Sequence, residues 1–247
     1  MKYSFLILIG SLILFSCSGG ENSNEDENKS SSTTENVKPK KSPLQKSIDK
    51  YKKEAKENLT PLLQKFTLVE DKVEGGGWYY HKNGNSKYQS HIEVPISTNG
   101  YFYLKTNYYG SDWLFHNQII VNIDGTSYYS SIIENHDDYS VTDVLGGGVL
   151  EILHLTDPQL DAHIVSLIFK NQDEEIIVRF KGDQAEKDIT LSKADKEVIK
   201  DCFLLSQYLT VTKNKKVSKI EDNALKDGFY LIPNGNFPEA SIKLKSE

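Results

Sequence analysis

Residues 119–133 read IIVNIDGTSYYSSII, and this stretch decides the fold class. Ile119, Val121 and Ile123 alternate with Ile120 and Asn122, so one face of a strand is continuously apolar. Asp124-Gly125 supplies the dipeptide that accepts positive φ at both central positions of a two-residue hairpin turn. Tyr128 to Ile133 then read as the returning strand, because aromatic and β-branched side chains fit a pleated surface. The same pattern recurs upstream. Ile92, Val94 and Ile96 alternate up to Asn99-Gly100, and Tyr101 to Tyr109 return. Pro95 inside the first of these strands places it at a sheet edge, since proline cannot donate to the ladder. Gly75-Gly76-Gly77 and Gly146-Gly147-Gly148 mark loops or bulges that need backbone freedom. Residues 67–155 thus read as antiparallel sheet, without the strand–helix alternation that parallel pairing requires.

Helices lie on either side. Asp157-Pro158 opens one whose buried face is Leu160, Ile164, Val165 and Ile168. A strand follows, in which Ile176, Val178 and Phe180 alternate with Ile177, Arg179 and Lys181. Ser192, with Asp195 three residues on, opens a long helix with a wide apolar stripe of Val198, Ile199, Cys202, Phe203, Leu205 and Leu209. At the other end, Ser42-Pro43-Leu44-Gln45 offers a capping serine, a proline at the first helical position and a capping-box glutamine. Leu44, Ile48, Tyr51, Ala55 and Leu59 form one stripe, and Pro61 ends or kinks the helix. Lys46, Lys50, Lys52, Lys53 and Lys56 make a basic opposite face, either solvated or touching anionic head groups. Strands first and helices after define an α+β domain over residues 44–210, an antiparallel sheet with helices packed on one face. The extension 211–247 carries a pattern for a terminal hairpin, with Phe229 to Ile232, Asn234-Gly235 and Ile242 to Leu244. Such a hairpin could pair with a neighbour's sheet edge.

The 247 residues carry a net charge of −6, which argues against a nucleic-acid partner. Two cysteines cannot build a disulfide framework or a cysteine-rich zinc site. The amino terminus, MKYSFLILIGSLILFSC, has one lysine and then an apolar run too short for a bilayer span but suited to a signal peptide over residues 1–16. Residues 17–43 are dominated by Ser, Asn, Glu, Thr and Lys, and cannot bury enough apolar surface to order themselves, so they read as a disordered tether. Leu14-Phe15-Ser16-Cys17 resembles the lipobox of bacterial lipoproteins. That resemblance implies diacylglyceryl transfer to Cys17, cleavage after Ser16 and acylation of the new amino terminus. The membrane is then a partner through the lipid on Cys17. Ser18, in place of Asp after the cysteine, favours the outer membrane over the inner by analogy with sorting in double-membrane bacteria.

Signatures of chemistry are sparse. Gly-x-Ser-x-Gly, His-Glu-x-x-His, the phosphate-binding Gly-x-x-x-x-Gly-Lys and Gly-x-Gly-x-x-Gly are all missing, so no catalytic class and no cofactor is indicated. The six histidines include no pair at the i, i+4 spacing of a helical metal site. Glu134-Asn135-His136-Asp137-Asp138 clusters oxygen and imidazole groups but lacks the central glycine and alternating acids of a calcium loop, and no metal is expected there. An envelope hydrolase with loop-borne acid–base groups stays open as an alternative, with His81, His136 and Asp137 as its candidates. Cys202 sits on an apolar stripe and reads as a core residue rather than a nucleophile.

Aromatic residues carry more information. Of the 26 in the chain, 14 fall between Trp78 and Tyr139, so the sheet region must place rings on both faces. Adjacent pairs such as Tyr79-Tyr80 and Tyr108-Tyr109 put one ring in the core and one outside. The outer rings form either a cross-strand ladder that stabilises the sheet or a binding face for an envelope protein, peptide or glycan. Trp78, Tyr80, Tyr103 and Trp113 are the candidate ligand-binding residues. Gly77-Trp78-Tyr79-Tyr80-His81-Lys82, Tyr109-Gly110-Ser111-Asp112-Trp113-Leu114-Phe115 and Arg179-Phe180-Lys181-Gly182-Asp183 resemble a domain of uncharacterised bacterial lipoproteins. This resemblance implies an architecture and no activity.

Overall fold

The hairpin at Asp124-Gly125 forms as its sequence requires. Strand β6 (His116–Ile123) pairs antiparallel with β7 (Thr126–Tyr129), Ile123 opposite Thr126. Asp124 and Gly125 both take positive φ, 48° and 78°, the two-residue turn whose twist matches that of the strands. The computed structural model describes residues 43–213 apart from 74, 85 and 135–137, all within one compact unit. The signal peptide, the tether with Cys17, and the hairpin pattern after residue 213 lie outside the described residues. No helix among the described residues is long and apolar enough to cross a membrane.

The elements run α1 (Pro43–Leu63), β1 (Phe66–Glu70), β2 (Gly77–His81), β3 (His91–Glu93), β4 (Ile96–Ser97), β5 (Lys105–Gly110), β6, β7, β8 (Ser140–Leu145), β9 (Gly148–His154), α2 (Pro158–Lys170), β10 (Ile176–Gly182), β11 (Glu186–Thr190) and α3 (Lys193–Lys213). The fold is α+β, and every strand pair is antiparallel. The strands form three sheets rather than one, ordered β1-β2-β4, β11-β10-β6-β7 and β3-β5-β9-β8. Pro95 is the physical reason for one division. It interrupts the alternating run of Ile92, Val94 and Ile96, so β3 pairs with β5 while β4 crosses to β2. Both are edge strands, where a missing N–H costs no ladder bond. A second strand, β11, pairs with β10 between the last two helices, where the sequence pattern indicated only one. Its segment EKDIT is nearly all exposed, so alternation of burial carries little signal there.

Helix punctuation follows the sequence. Asp157 caps α2, accepting from the N–H groups of Gln159 and Leu160, with Pro158 in the first turn. Ser192 and Asp195 form a reciprocal box at the start of α3. Pro61 is accommodated inside the last turn of α1, which runs on to Leu63. The core unites Ile48, Tyr51 and Ala55 of α1, the inward faces of the sheets, Ala162, Ile164, Val165 and Ile168 of α2, and much of α3. Phe169 stacks on Phe203 at 4.3 Å, joining α2 to α3. Tyr108 of β5 meets the ring of Phe180 on β10, joining the β3-β5-β9-β8 sheet to the β11-β10-β6-β7 sheet, and His116 of β6 packs on the same ring. Cys202 is a free, fully buried core residue, and burial pushes its thiol pKa well up.

Candidate ligand-binding cleft

The alternation of side chains along β2 separates its aromatics. Tyr79 packs against the core, while Trp78 and Tyr80 lie on the opposite face of the β1-β2-β4 sheet, in register with Val69 and Thr67. Alternation acts likewise on β5: Thr106 and Tyr108 face inward and are buried, and Lys105, Asn107 and Tyr109 face outward. The outward faces of these two sheets border a cleft of about 310 Å³ lined by residues that include Val69, Tyr80, Glu93, Lys105, Asn107 and Ile152.

Its floor is polar and internally matched. Lys105 Nζ donates to Glu93 Oε2 at 2.6 Å across the β3–β5 ladder, and both side chains are largely covered, at 19% and 9% exposure. His91 Nδ1 lies 2.8 Å from the Gln89 carbonyl, which can only accept, so this nitrogen carries the proton. His91 Nε2 is then free to accept from the Asn107 amide at 2.9 Å. These two contacts engage both ring nitrogens of His91, and Asn107 Oδ1 points away from the ring. Among the described residues that oxygen has no hydrogen-bond partner.

An aromatic cluster backs the wall. Trp78 meets Tyr103 edge-on at 5.1 Å and Tyr101 at 6.0 Å. Tyr103 stacks on His154 at 5.5 Å and hydrogen-bonds the Tyr80 hydroxyl. Burial, followed by the neighbouring Tyr80 phenol, drives the Tyr103 pKa far above its ordinary value. His154 is held neutral: burial, then the Lys105 charge, lower its pKa against the opposing pull of Glu93. Three of the four candidate binding residues therefore assemble, Tyr80 in the lining and Trp78 and Tyr103 behind it. Trp113 does not join them. It sits on the β5–β6 connection, off any strand, and stacks on Phe115 at 5.7 Å while packing against the core. The sequence reading missed His91, Glu93, Lys105 and Asn107. Their signal was present in the period-2 alternation of β3 and β5, which sets them on one face, but it needed the β3–β5 register to be visible.

Two other polar clusters are internally hydrogen-bonded. Glu151 accepts the backbone N–H groups of Leu114, Phe115 and His116 at 2.7, 2.9 and 2.8 Å, and contacts His116 Nδ1 at 2.9 Å. His116 Nε2 lies 2.9 Å from Thr106 Oγ1. The order Thr106–His116–Glu151 copies that of a nucleophile, base and acid, yet all three are at most 2% exposed. Their bonds are spent on holding the turn in which Phe115 takes φ 51°, a left-handed conformation that costs a non-glycine residue ~1–2 kcal/mol. The second cluster borders a cleft of about 400 Å³. Asp201 Oδ2 receives Lys65 Nζ at 2.7 Å and faces His81 Nε2 at 3.3 Å. His81 Nδ1 accepts from the Asn83 N–H at 3.2 Å, so both ring nitrogens are occupied. Burial raises the Asp201 pKa, but the hydrogen bonds from His81 and Lys65 outweigh it and leave a lowered value. His136 and Asp137, the other acid–base candidates, lie outside the described residues. Among the described residues no group of three or more His, Cys, Asp or Glu side chains is arranged to hold a metal ion.

Comparison of the chain with protein families, with curated proteins and with solved structures returns no match.

Proposed function

We propose that this chain is a lipid-anchored protein of a bacterial cell envelope, held at the outer membrane through Cys17, whose α+β domain binds a ligand without catalysing its conversion. The anchor reading is supported by the apolar leader and Leu14-Phe15-Ser16-Cys17, since several acyl chains on one residue retain a protein stably where one chain does not. The polar stretch to residue 43 then serves as a spacer that presents the domain. The observation that carries the binding role is the cleft bordered by Tyr80 and backed by Trp78 and Tyr103, with a charge-matched floor. A concave site combining apolar walls with a few fixed polar groups is the usual form of a small-ligand site, and this one stands at the small end of the ~300–1,000 Å³ range.

Capture from the native envelope tests this reading. The lipidated protein and its Tyr80→Ala/Tyr103→Ala variant are used as baits, with their thermal transitions measured in parallel. The reading expects envelope material retained by the wild type and lost from a variant that still unfolds cooperatively. Equal retention by both would place the binding surface elsewhere. Incorporation of labelled palmitate into the wild type but not into Cys17→Ala checks the anchor.

A further inference from the structure

We infer that the cleft between β2 and β5 takes an uncharged, hydroxyl-rich ligand, an oligosaccharide segment of one or two sugar rings, in preference to an ionic one. This rests on the reading that the cleft is the binding site, and it adds the chemical class of the occupant.

The charges of the cleft floor are already matched. Glu93 and Lys105 neutralise each other at 2.6 Å inside a largely covered floor. His91 has both ring nitrogens already engaged, by the Gln89 carbonyl and the Asn107 amide. An incoming carboxylate or ammonium would have to break the Glu93–Lys105 pair or stay unpaired in a partly dehydrated site, and either is costly. Lys87 is the one lining charge with no ion-pair partner among the described residues, and it stands at the exposed rim, where water screens it.

The cleft lining also mixes apolar and hydrogen-bonding groups. The lining sets ring and alkyl surface from Tyr80, Val69 and Ile152 beside hydroxyl and amide groups from Ser86, Tyr80 and Asn107. A sugar ring presents the same mixture, with apolar C–H faces and hydroxyls at its edge that both donate and accept. Asn107 Oδ1, which the described residues leave without a partner, supplies a fixed acceptor for such a hydroxyl. Floor residues Lys105, Asn107 and Ile152 lie on β5 and β9, the two central strands of their sheet. Main-chain groups there are already spent on the ladders, so the ligand is read by side chains. An extended peptide would instead pair with the outer edge of β3 or β1, which border the cleft, and the peptide probe below tests that mode.

The chain has two tryptophans, and only Trp78 belongs to this cluster. A Trp113→Phe background therefore makes the fluorescence a reporter of the cleft. The probes are maltohexaose, cellohexaose and the hexamer of β-1,4-linked N-acetylglucosamine as neutral oligosaccharides, hexagalacturonate as an anionic one, and a capped polar decapeptide. The expected result is a saturable change in Trp78 emission with at least one neutral hexasaccharide and roughly tenfold or weaker binding of hexagalacturonate and the peptide. Tyr80→Ala in the same background should weaken the neutral ligand roughly tenfold, with Tyr80→Phe, which keeps the ring, losing less. A response to hexagalacturonate or the peptide alone overturns the ligand class. No saturable response to any neutral probe also overturns it. The cleft itself is judged separately, by whether the Tyr80→Ala/Tyr103→Ala bait loses its envelope material.

Discussion

Replacing Glu151 by alanine removes the acceptor of three backbone N–H groups and of the His116 ring, all inside a buried turn. Each buried donor left without a partner costs ~1–3 kcal/mol. Water can enter the space vacated by the side chain and recover part of that, so the sum falls to the ~3–5 kcal/mol typical of breaking a buried charged network. For a domain of this size ~1 kcal/mol corresponds to about 2–4 °C in Tm, which places the expected loss near ~10 °C. Glu151→Gln should cost less, ~1–3 kcal/mol. Its carbonyl can still serve Leu114 and Phe115, and its NH₂ can donate to His116 Nδ1, but the His116 N–H is left facing a donor. Acid provides the second reading. Burial raises the Glu151 pKa, yet the hydrogen bonds from His116 and Phe115 reverse the shift and leave it lowered. A depressed folded value means the stabilisation is complete above the ordinary Glu value of about 4.3 and is lost as the pH falls through the folded one. The gap between wild type and Glu151→Gln in urea unfolding should accordingly shrink as the pH falls below about 4.3. A Glu151→Ala protein that melts within ~2 °C of wild type would refute the claim that this carboxylate holds the turn.

Three further outcomes can be checked with the same preparations. Asp161 is 1% exposed, and burial pushes its pKa well above the usual carboxylate value against the Leu104 N–H bond. The folded protein therefore favours the protonated acid, and that contribution is lost as the pH rises; Asp161→Asn should gain stability relative to wild type between pH 4 and pH 8, and a pH-independent gap would contradict this. Cys202 should react with a thiol reagent only on the timescale of global unfolding, and rapid labelling of the native protein would show the α3 stripe to be open. Asp157→Ala removes the acceptor of two N–H groups at the start of α2, and should lower stability by ~1 kcal/mol in denaturant unfolding, with Asp157→Ser restoring most of it.

The elements that could be read from the chain are those whose code is local. Asp124-Gly125, the Ser192–Asp195 box and Asp157-Pro158 each specify their geometry through neighbouring atoms, and each forms as read. The division of strands among three sheets was not legible, because it depends on which partner each strand finds after Pro95 interrupts the run. β11 was hidden for a different reason. Its residues are almost all exposed, and it is held to β10 by main-chain pairing and by the surface pair of Arg179 with Asp188. Of the candidate binding residues, Tyr80 and its neighbours stood out as aromatics in a strand pattern. Glu93, Lys105 and Asn107 are unremarkable in one dimension and acquire meaning only through the β3–β5 register. Trp113 shows the opposite failure: a conspicuous residue in sequence, it spends its ring on Phe115.

The face carrying Tyr80 can act as a binding site or serve only as a stabilising aromatic ladder. Envelope capture with wild type and the Tyr80→Ala/Tyr103→Ala variant, each with its thermal transition recorded, separates the two most directly. If the face binds a ligand, the variant folds but no longer retains the captured material. A variant that loses stability but retains what the wild type retains would contradict that binding role.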